Sequence, residues 1–337
     1  MARHSAGILS TGSYLPKHEV TNAQVAQLLG TSAEWVTPEW IERKTQIVTR
    51  RYAAPIEATS DLAIRAGTAA LEQIGLPAER IDYLIVSTST GDSPQPPTSY
   101  LVQRGLDAFG AACFDINVVC SGFVYGLALA HSLIALRPGT HALVIGADVY
   151  SRILDFSDYR TAILLGDGAG AAVVGPVEPP YGVVDFDLSS RGEAHHLIGV
   201  QAGGSRQPTS HETVDAGGHF FTMDGRGVRD FVMEHVPHAL AELARRTGVP
   251  LADVDHFVPH QANGVLLREL VERAGMGHAR THRTLERYGN VGSASVPVAL
   301  DDANRSGALR DGDLVLLSGF GGGMSIGNCL LRWRATP

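Results

Sequence analysis

The sequence predicts an α/β protein whose 337 residues hold two copies of one unit, a reading that three observations carry. Strand-length apolar runs alternate with helical patterns along most of the chain, the grammar of sheets covered by helices. A phrase recurs: Gly75–Ser87 reads GLPAERIDYLIVS and Gly248–His260 reads GVPLADVDHFVPH, with Gly, Pro and the Asp before the apolar run aligned. At the same spacing LVIG at Leu143–Gly146 falls on LLSG at Leu316–Gly319. Between the halves, GPVEPPYG at Gly175–Gly182 has the Pro and Gly density of a linker,. Duplication is one account of the repeat; helix-Gly-strand phrasing common to α/β chains is the other. Division near this linker gives halves 1–175 and 176–337.

In chain order, the strands expected in the first half are Ala6–Ser10, Tyr83–Thr88, Ala112–Asn117, Ala142–Asp148 and Ala169–Gly175. Those of the second are Gly182–Leu188, His256–Pro259, Leu314–Gly319 and Ser325–Trp333. Each is a short run rich in apolar and β-branched residues, bounded by Gly, Pro, Asp or Ser. Helical periodicity covers Ala63–Ile74 and Val228–Thr247, which precede the two repeat phrases, and Asn263–Ala274. From Cys120 to Leu136 no formally charged residue occurs, and a helix apolar all round is expected to be buried,.

Composition narrows the function. Lys+Arg number 27 against 35 Asp+Glu, a formal net charge of −8, which lacks the basic field of a nucleic-acid binder,. Apolar residues at 44% supply a large core, and charge at 18% is too low for disorder,. Three cysteines cannot build a disulfide framework and fit a reducing compartment,. The start, MARHSAGILSTGSYLP, is broken by Gly, Ser and Pro and is not a signal peptide; no 18-residue apolar run is read elsewhere,. The expectation is a soluble cytoplasmic protein with no membrane partner.

Three polar residues stand out. Cys120 follows the strand AACFDIN and opens the uncharged helix, so it meets the positive end of a helix dipole, where a thiolate is favoured,. A strand-to-helix bend also aims a side chain into a cleft. Cys113 and Cys329 lie inside strand runs and read as packing, which is also the other reading of Cys120,. His260 ends VDHFVPH, where Pro259 is expected to interrupt pairing and turn the chain; an ordinary loop histidine is the other reading,. Asn290 lies in RYGNVGSASVPVAL, a Gly-rich turn leading into another apolar helix,. The tail SGFGGGMSIG offers close backbone and free N–H groups, as an oxyanion site or a tight hairpin would,. GDGAGA at Gly166–Ala171 lacks the G-x-G-x-x-G order and runs into a strand, against a dinucleotide site,. VVCSGF lacks the G-x-C-x-G of an α/β-hydrolase elbow,.

VCSGF around Cys120, PHQAN at Pro259–Asn263 and YGNVGSASVP at Tyr288–Pro297 together resemble the thiolase-fold condensing enzymes, specifically β-ketoacyl-ACP synthase III (KAS III). TGSYLP at Thr11–Pro16, EWIERKTQI at Glu39–Ile47, GDGAGAAVV at Gly166–Val174 and GFGGG at Gly319–Gly323 follow in family order, so the resemblance runs nearly end to end. It implies a five-layered α-β-α-β-α fold of two duplicated halves, a homodimer, and acyl-CoA as substrate with no permanently bound cofactor and no metal. By position Cys120 is implied as the nucleophile taking an acyl group from a CoA or carrier-protein thioester. His260 and Asn290 are implied to hold the second thioester's carbonyl as it becomes an enolate. The N–H groups of Cys120 and Gly322 form the implied oxyanion hole.

Those residue types suit the chemistry. A thiolate attacks and leaves a thioester readily, and a neutral imidazole and an amide can both donate to an enolate. For CoA, Trp40 is implied as the stacking indole with Arg152 as its cationic partner, Lys44 as a phosphate contact, and Asn263 beside them. The family's Arg-Thr-Gly reads Lys44-Thr45-Gln46 here, which loses the bidentate fork of arginine,. The face that docks an acidic acyl carrier protein is depleted: Gly264-Val265 stand where Leu-Arg is usual, Asp230 replaces a lysine, and Glu272-Arg273 replace a Lys-Lys pair,. Gln95, in SPQPP, aligns with a position of the dimer-shared acyl pocket where the family often has Phe, and reads against a short aliphatic starter. Two reactions follow, a decarboxylative Claisen condensation or acyl transfer to an alcohol or amine with His260 as general base. A non-catalytic partner subunit is a remote third, since such a subunit could lose its nucleophile.

Overall fold

The computed structural model describes residues 5–335. The strands of the first half are β1 (Ser5–Tyr14), β2 (His18–Thr21), β3 (Thr49–Tyr52), β4 (Tyr83–Ser87), β5 (Ala112–Ile116), β6 (Ala142–Val149) and β7 (Asp167–Val177). Those of the second are β8 (Gly182–Ser190), β9 (Ile198–Val200), β10 (Phe221–Met223), β11 (His256–Pro259), β12 (Arg280–Thr281), β13 (Leu314–Gly321) and β14 (Ser325–Arg332). Two five-stranded sheets form, in the orders β1-β7-β6-β4-β5 and β8-β14-β13-β11-β12. Strand for strand the orders coincide, and so do the senses: two antiparallel pairings followed by two parallel ones in each. The spacing of the sequence repeat carries β4 onto β11 and β6 onto β13, the strands at the centre of each sheet.

Five layers result. Helices α1 (Thr59–Gln73) and α2 (Thr98–Leu106) cover the outer face of the first sheet. Helices α3 (Gly122–Leu136) and α4 (Ser295–Arg305) lie between the sheets. Helix α5 (Gly225–Thr247), with α6 (Gly264–Arg273) against it, covers the second. Strands β6 and β13 are buried along their whole length, as central strands sandwiched between helices must be,. Gly126 of α3 lets the helix close on β6, since a Cβ there would meet Val144 at 2.7 Å. Each half thus supplies one sheet, and the loops at the carboxyl ends of β5, β11 and β13 meet between them.

Three expectations change. The stretch Val119–Leu136 has a mean hydropathy of 1.8 over 18 residues, long and apolar enough to cross a membrane by composition, yet half of it is packed between the two sheets. Nor is α3 buried all round: Leu129 and Leu136 of its second half are exposed. Pro259 does not end the pairing of β11. It pairs with Ser318, and the next N–H, of His260, donates to the Ser318 carbonyl at 2.7 Å. The short strands β2, β3, β9, β10 and β12, two to four residues each, lie in two-stranded sheets or, for β12, at a sheet edge, and have no long apolar run to announce them.

Candidate active site

Cys120 sits in a 3₁₀ turn, Val119–Ser121, between β5 and α3. The bend before it is strained: Val119, a β-branched residue, has φ +46°, a left-handed conformation that such side chains rarely adopt,. Packing enforces it. Gly122 has no room for a side chain, its Cβ position lying 1.8 Å from Ser87 Oγ, while Ser121 Oγ bonds Val118 O at 2.9 Å and pairs with Ser325 Oγ at 2.6 Å. Strand β13 of the other half passes directly over the sulfur. A Cβ on Gly321 would lie 3.0 Å from Cys120 Sγ, so the glycine tail approaches the nucleophile at Gly321, while a Cβ on Gly322 would meet Val119 and Ile198.

His260 follows β11, is 2% exposed and meets the Phe320 ring edge-on, centroids 5.4 Å apart. Burial alone holds its pKa far below the ordinary imidazole value, at about 3, so it is neutral at any physiological pH,. Its Nδ1 has no hydrogen-bond partner. The next residue, Gln261, uses all of its amide to brace the loop: Nε2 donates to Pro259 O and His282 O, and Oε1 accepts from the N–H of Thr284 and Leu285.

Asn290 is tied by its backbone to the first half, its N–H donating to Leu164 O and its carbonyl accepting from Gly166 N–H, both at 2.9 Å. Its Oδ1 accepts from Gly292 N–H at 3.0 Å, which fixes the orientation of the amide and leaves Nδ2 as a donor,.

Cys120, His260 and Asn290 line one cavity of about 40 Å³, together with Tyr150, Phe221 and Ile198. Of these only Cys120 and Tyr150 come from the first half. The thiol is not poised as the helix dipole suggests. Burial, reinforced by the carboxylate of Asp148, pushes its pKa well above the ordinary value, so the resting group is a thiol rather than a thiolate,. A dipole is worth ~0.3–2 kcal/mol, and full desolvation of a thiolate outweighs it.

The cavity adjoins a groove of about 1020 Å³, and Met223, Val228, Ala262, Leu266 and Asn290 line both. Lys44 and Asn263 line the groove, as expected. Asn263 also caps α6, its Oδ1 accepting from Val265 and Leu266 N–H, and its Nδ2 donates to Lys44 O. Trp40 is half-buried in an aromatic cluster with Trp35 at 4.9 Å and Tyr159 at 6.0 Å. Arg152 is not at the groove: its guanidinium is spent on the carbonyls of Ala54, Pro55 and Glu57. Arg160, Arg226 and Arg229 line the groove instead, and Arg160, which sequence reading missed, is the one next to Tyr159 of that cluster. Gln95 is exposed on its loop and does not line the cavity of its own protomer.

The departures around Lys44 prove to be coupled. Gln46 takes the left-handed conformation (φ +58°) in which the family has glycine, and its side chain fills the space beside Gly264, where a Cβ would lie 2.5 Å from Gln46 Oε1. On the opposite rim Arg229 is held by Glu269 at 2.5 Å and Asp230 at 3.1 Å.

Two family profiles match the chain: 3-oxoacyl-(acyl-carrier-protein) synthase III over residues 114–192 and the same family's C-terminal region over residues 244–333. The acetoacetyl CoA synthase NphT7 of Streptomyces sp. strain CL190 is 48% identical over 328 residues, 97% of this chain and 98% of that one. The β-ketoacyl-(acyl-carrier-protein) synthase III of Caldanaerobacter subterraneus subsp. tengcongensis is 41% identical, covering 98% of each chain. Among solved structures, 3-oxoacyl-(acyl carrier protein) synthase III, FabH, from Pseudomonas aeruginosa PAO1 superposes with a TM-score of 0.89 at 34% identity over 99% of each chain.

Proposed function

This chain belongs to the 3-oxoacyl-(acyl-carrier-protein) synthase III family of thiolase-fold condensing enzymes, and we propose that it joins a short acyl group to a malonyl unit with CoA as the carrier of both. Residues 1–175 and 176–337 act in this reading as two halves of a single site. The observation that carries the proposal is the convergence of Cys120, a neutral His260 and the free amide of Asn290 on one small cavity.

In the first step the Cys120 sulfur attacks the thioester carbonyl, loses its proton, and expels CoA as its thiol; the N–H groups of Cys120 and Gly322 receive the oxyanion. In the second, malonyl-CoA loses CO₂ and the electron pair of the broken C–C bond forms an enolate, whose oxygen His260 and Asn290 hold by hydrogen bonds. The enolate carbon then attacks the acyl-Cys120 carbonyl, and the sulfur leaves. The product is a 3-oxoacyl-CoA. Acyl transfer to an alcohol needs His260 to accept a proton, which its burial opposes,. A donor that never becomes charged fits the condensation.

The cavity favours a short acyl group, since about 40 Å³ holds roughly three water-sized probes,. The name of the 48% identical relative, an acetoacetyl CoA synthase, supports acetoacetyl-CoA as the product, which acetyl as donor and a malonyl unit as extender would give. For the CoA diphosphate the groove offers Lys44, Arg160 and Arg226, while Asp158 and Asp224 are occupied capping helices. The rim that would meet an acidic carrier protein presents Asp230 and Glu269 already paired with Arg229, so we infer CoA rather than carrier protein,. A cytoplasmic homodimer completes the proposal.

The test supplies acetyl-CoA with carboxyl-labelled malonyl-CoA or malonyl carrier protein. Label released as CO₂ with a 3-oxoacyl-CoA product, and intact mass showing acetyl on wild type but not on Cys120→Ala, is the expected result. Label release only from the malonyl carrier protein overturns the CoA assignment, and acyl transfer without CO₂ overturns condensation.

A further inference from the structure

Asp148 is the one ionisable residue in the otherwise apolar strand β6, ALVIGADV, and it is wholly buried beside the catalytic cavity with no cation paired to it among the described residues. Its two oxygens face opposite halves of the molecule. Oδ1 accepts from Ser89 N–H at 2.8 Å and from the Thr90 and Thr88 hydroxyls at 3.1 and 3.2 Å, in the loop that follows β4. Oδ2 accepts from Ser293 N–H at 2.8 Å, with the Ser293 hydroxyl also at 2.8 Å and shared with Ser87 O.

Ser293 belongs to the Gly292–Ala294 turn of the second half, and that turn closes on the carboxylate. Gly292 adopts φ +57°, and a Cβ there would lie 2.4 Å from Asp148 Oδ2 and 2.4 Å from the Tyr150 ring. The N–H of Gly292 is what holds Asn290 Oδ1. A chain of contacts therefore runs from Asp148 through Ser293 and Gly292 to the Asn290 amide, and it crosses from one half to the other.

We propose that Asp148 is the positioning residue that sets the Asn290 amide over the Cys120 cavity. The inference rests on the enolate-holding role given to Asn290 above. Nothing else in the turn can replace it, because an unpaired Ser293 N–H in this dry position needs an acceptor. Its charge has a second consequence. Cys120 is faced by Asp148, Tyr150 and His260; burial pushes the Asp148 carboxyl up, the hydrogen bonds donated to both its oxygens oppose that shift, and after burial its charge is the next contribution raising the pKa of the sulfur.

Asp148→Asn separates this from a packing role. An amide nitrogen cannot accept, so one of the two donor sets, Ser89 or Ser293, loses its partner while volume is kept. We expect decarboxylation of malonyl-CoA to fall about 100-fold, with acetyl loading of Cys120 reduced far less. The pH profile of Cys120 alkylation by iodoacetamide should move to lower pH, because removal of the carboxylate favours the thiolate. Ser293→Ala keeps the carboxylate and the Ser293 N–H bond; it should reduce decarboxylation more than loading and leave the alkylation profile in place. Equal losses of loading and decarboxylation in both variants, or an unmoved alkylation profile in Asp148→Asn, overturns the proposal. Should Asp148→Asn fail to fold, the Ser293→Ala comparison still decides. Absence of malonyl-CoA decarboxylation in wild type refutes the proposed reaction instead, and the alkylation profile remains readable in that case.

Discussion

The neutrality of His260 can be tested through stability as well as turnover. Its pKa in the folded protein is about 3 against an ordinary 6.5, because the ring is buried with no anion to stabilise an imidazolium. Below 6.5 the unfolded chain therefore binds a proton that the folded chain cannot, and the fold loses stability as pH falls. The whole gap is worth about 5 kcal/mol, reached only near pH 3. By pH 5 about 2 kcal/mol is lost. His260→Gln is of similar polarity and cannot titrate, so it should lose that much less than wild type between pH 7.5 and 5.0. At ~2 °C per kcal/mol for a large domain, the two proteins' thermal midpoints should diverge by about 4 °C over this range. Other titrating groups, such as His282 with its lowered pKa of about 4, are common to both and cancel in the difference. Calorimetric or fluorescence melting of both proteins at both pH values measures it. Parallel pH dependence in the two proteins would refute the reasoning, as would an imidazole C–H resonance of His260 titrating near 6.5.

Two further substitutions test the groove. Arg160→Ala should raise KM for the CoA thioester about tenfold, the loss of one charge-assisted hydrogen bond. Arg152→Ala should leave KM unchanged and lower the thermal midpoint, since its guanidinium braces the 54–57 loop; equal KM values for both variants would count against the assignment. Gly264→Leu drives a side chain into Gln46 and should cost about 1–3 kcal/mol of stability,. Adding Gln46→Gly removes both the clash and the left-handed strain, so the double variant should recover most of that loss. Thermal unfolding of the four proteins decides, and simple additivity would mean that the two positions are not coupled.

What the sequence could reveal follows from how strongly each feature is imposed locally. The nine strands read from it are the apolar runs of the two main sheets, most of them buried, though β5 and β8 are only partly so, and His256–Pro259 coincides with β11 end for end. The five strands missed are short, polar or at edges, where no periodic apolar face is required. Cys120 was legible because a strand, a bend and an uncharged helix meet there. Arg160 was not, because Arg152 and Arg160 are similar neighbours of one irregular segment, and only the path of the chain sends one to the 54–57 loop and the other to the groove. Asp148 carried a signal that went unread, a lone carboxylate inside an apolar strand, which must be satisfied by something specific. The poise of the thiol was misjudged because dipole arguments are local and desolvation is tertiary.

Asp148 also resolves why a carboxylate should stand beside a nucleophilic sulfur at all. Taken alone, the placement opposes thiolate formation and local rules would remove it. The site, however, joins two halves, and the turn carrying Asn290 needs an acceptor reaching across from the half that carries Cys120. A neutral acceptor such as Asn satisfies one donor set, whereas a carboxylate satisfies both. Because Cys120 is already desolvated, burial by itself keeps it a thiol at rest, and the nearby carboxylate raises its pKa further without changing which form rests there,. On the proposed roles, the carboxylate strengthens the alignment of the enolate-holding amide at the expense of a thiolate that burial had already disfavoured. Such a conflict between a local preference and a global requirement is expected where a site is built from two halves. It also predicts where compensation lies: the bent backbone at Val119 and the close approach of the glycine tail, which on the proposed roles aim the N–H groups of Cys120 and Gly322 at the acyl carbonyl, must supply the activation that the thiol lacks at rest,.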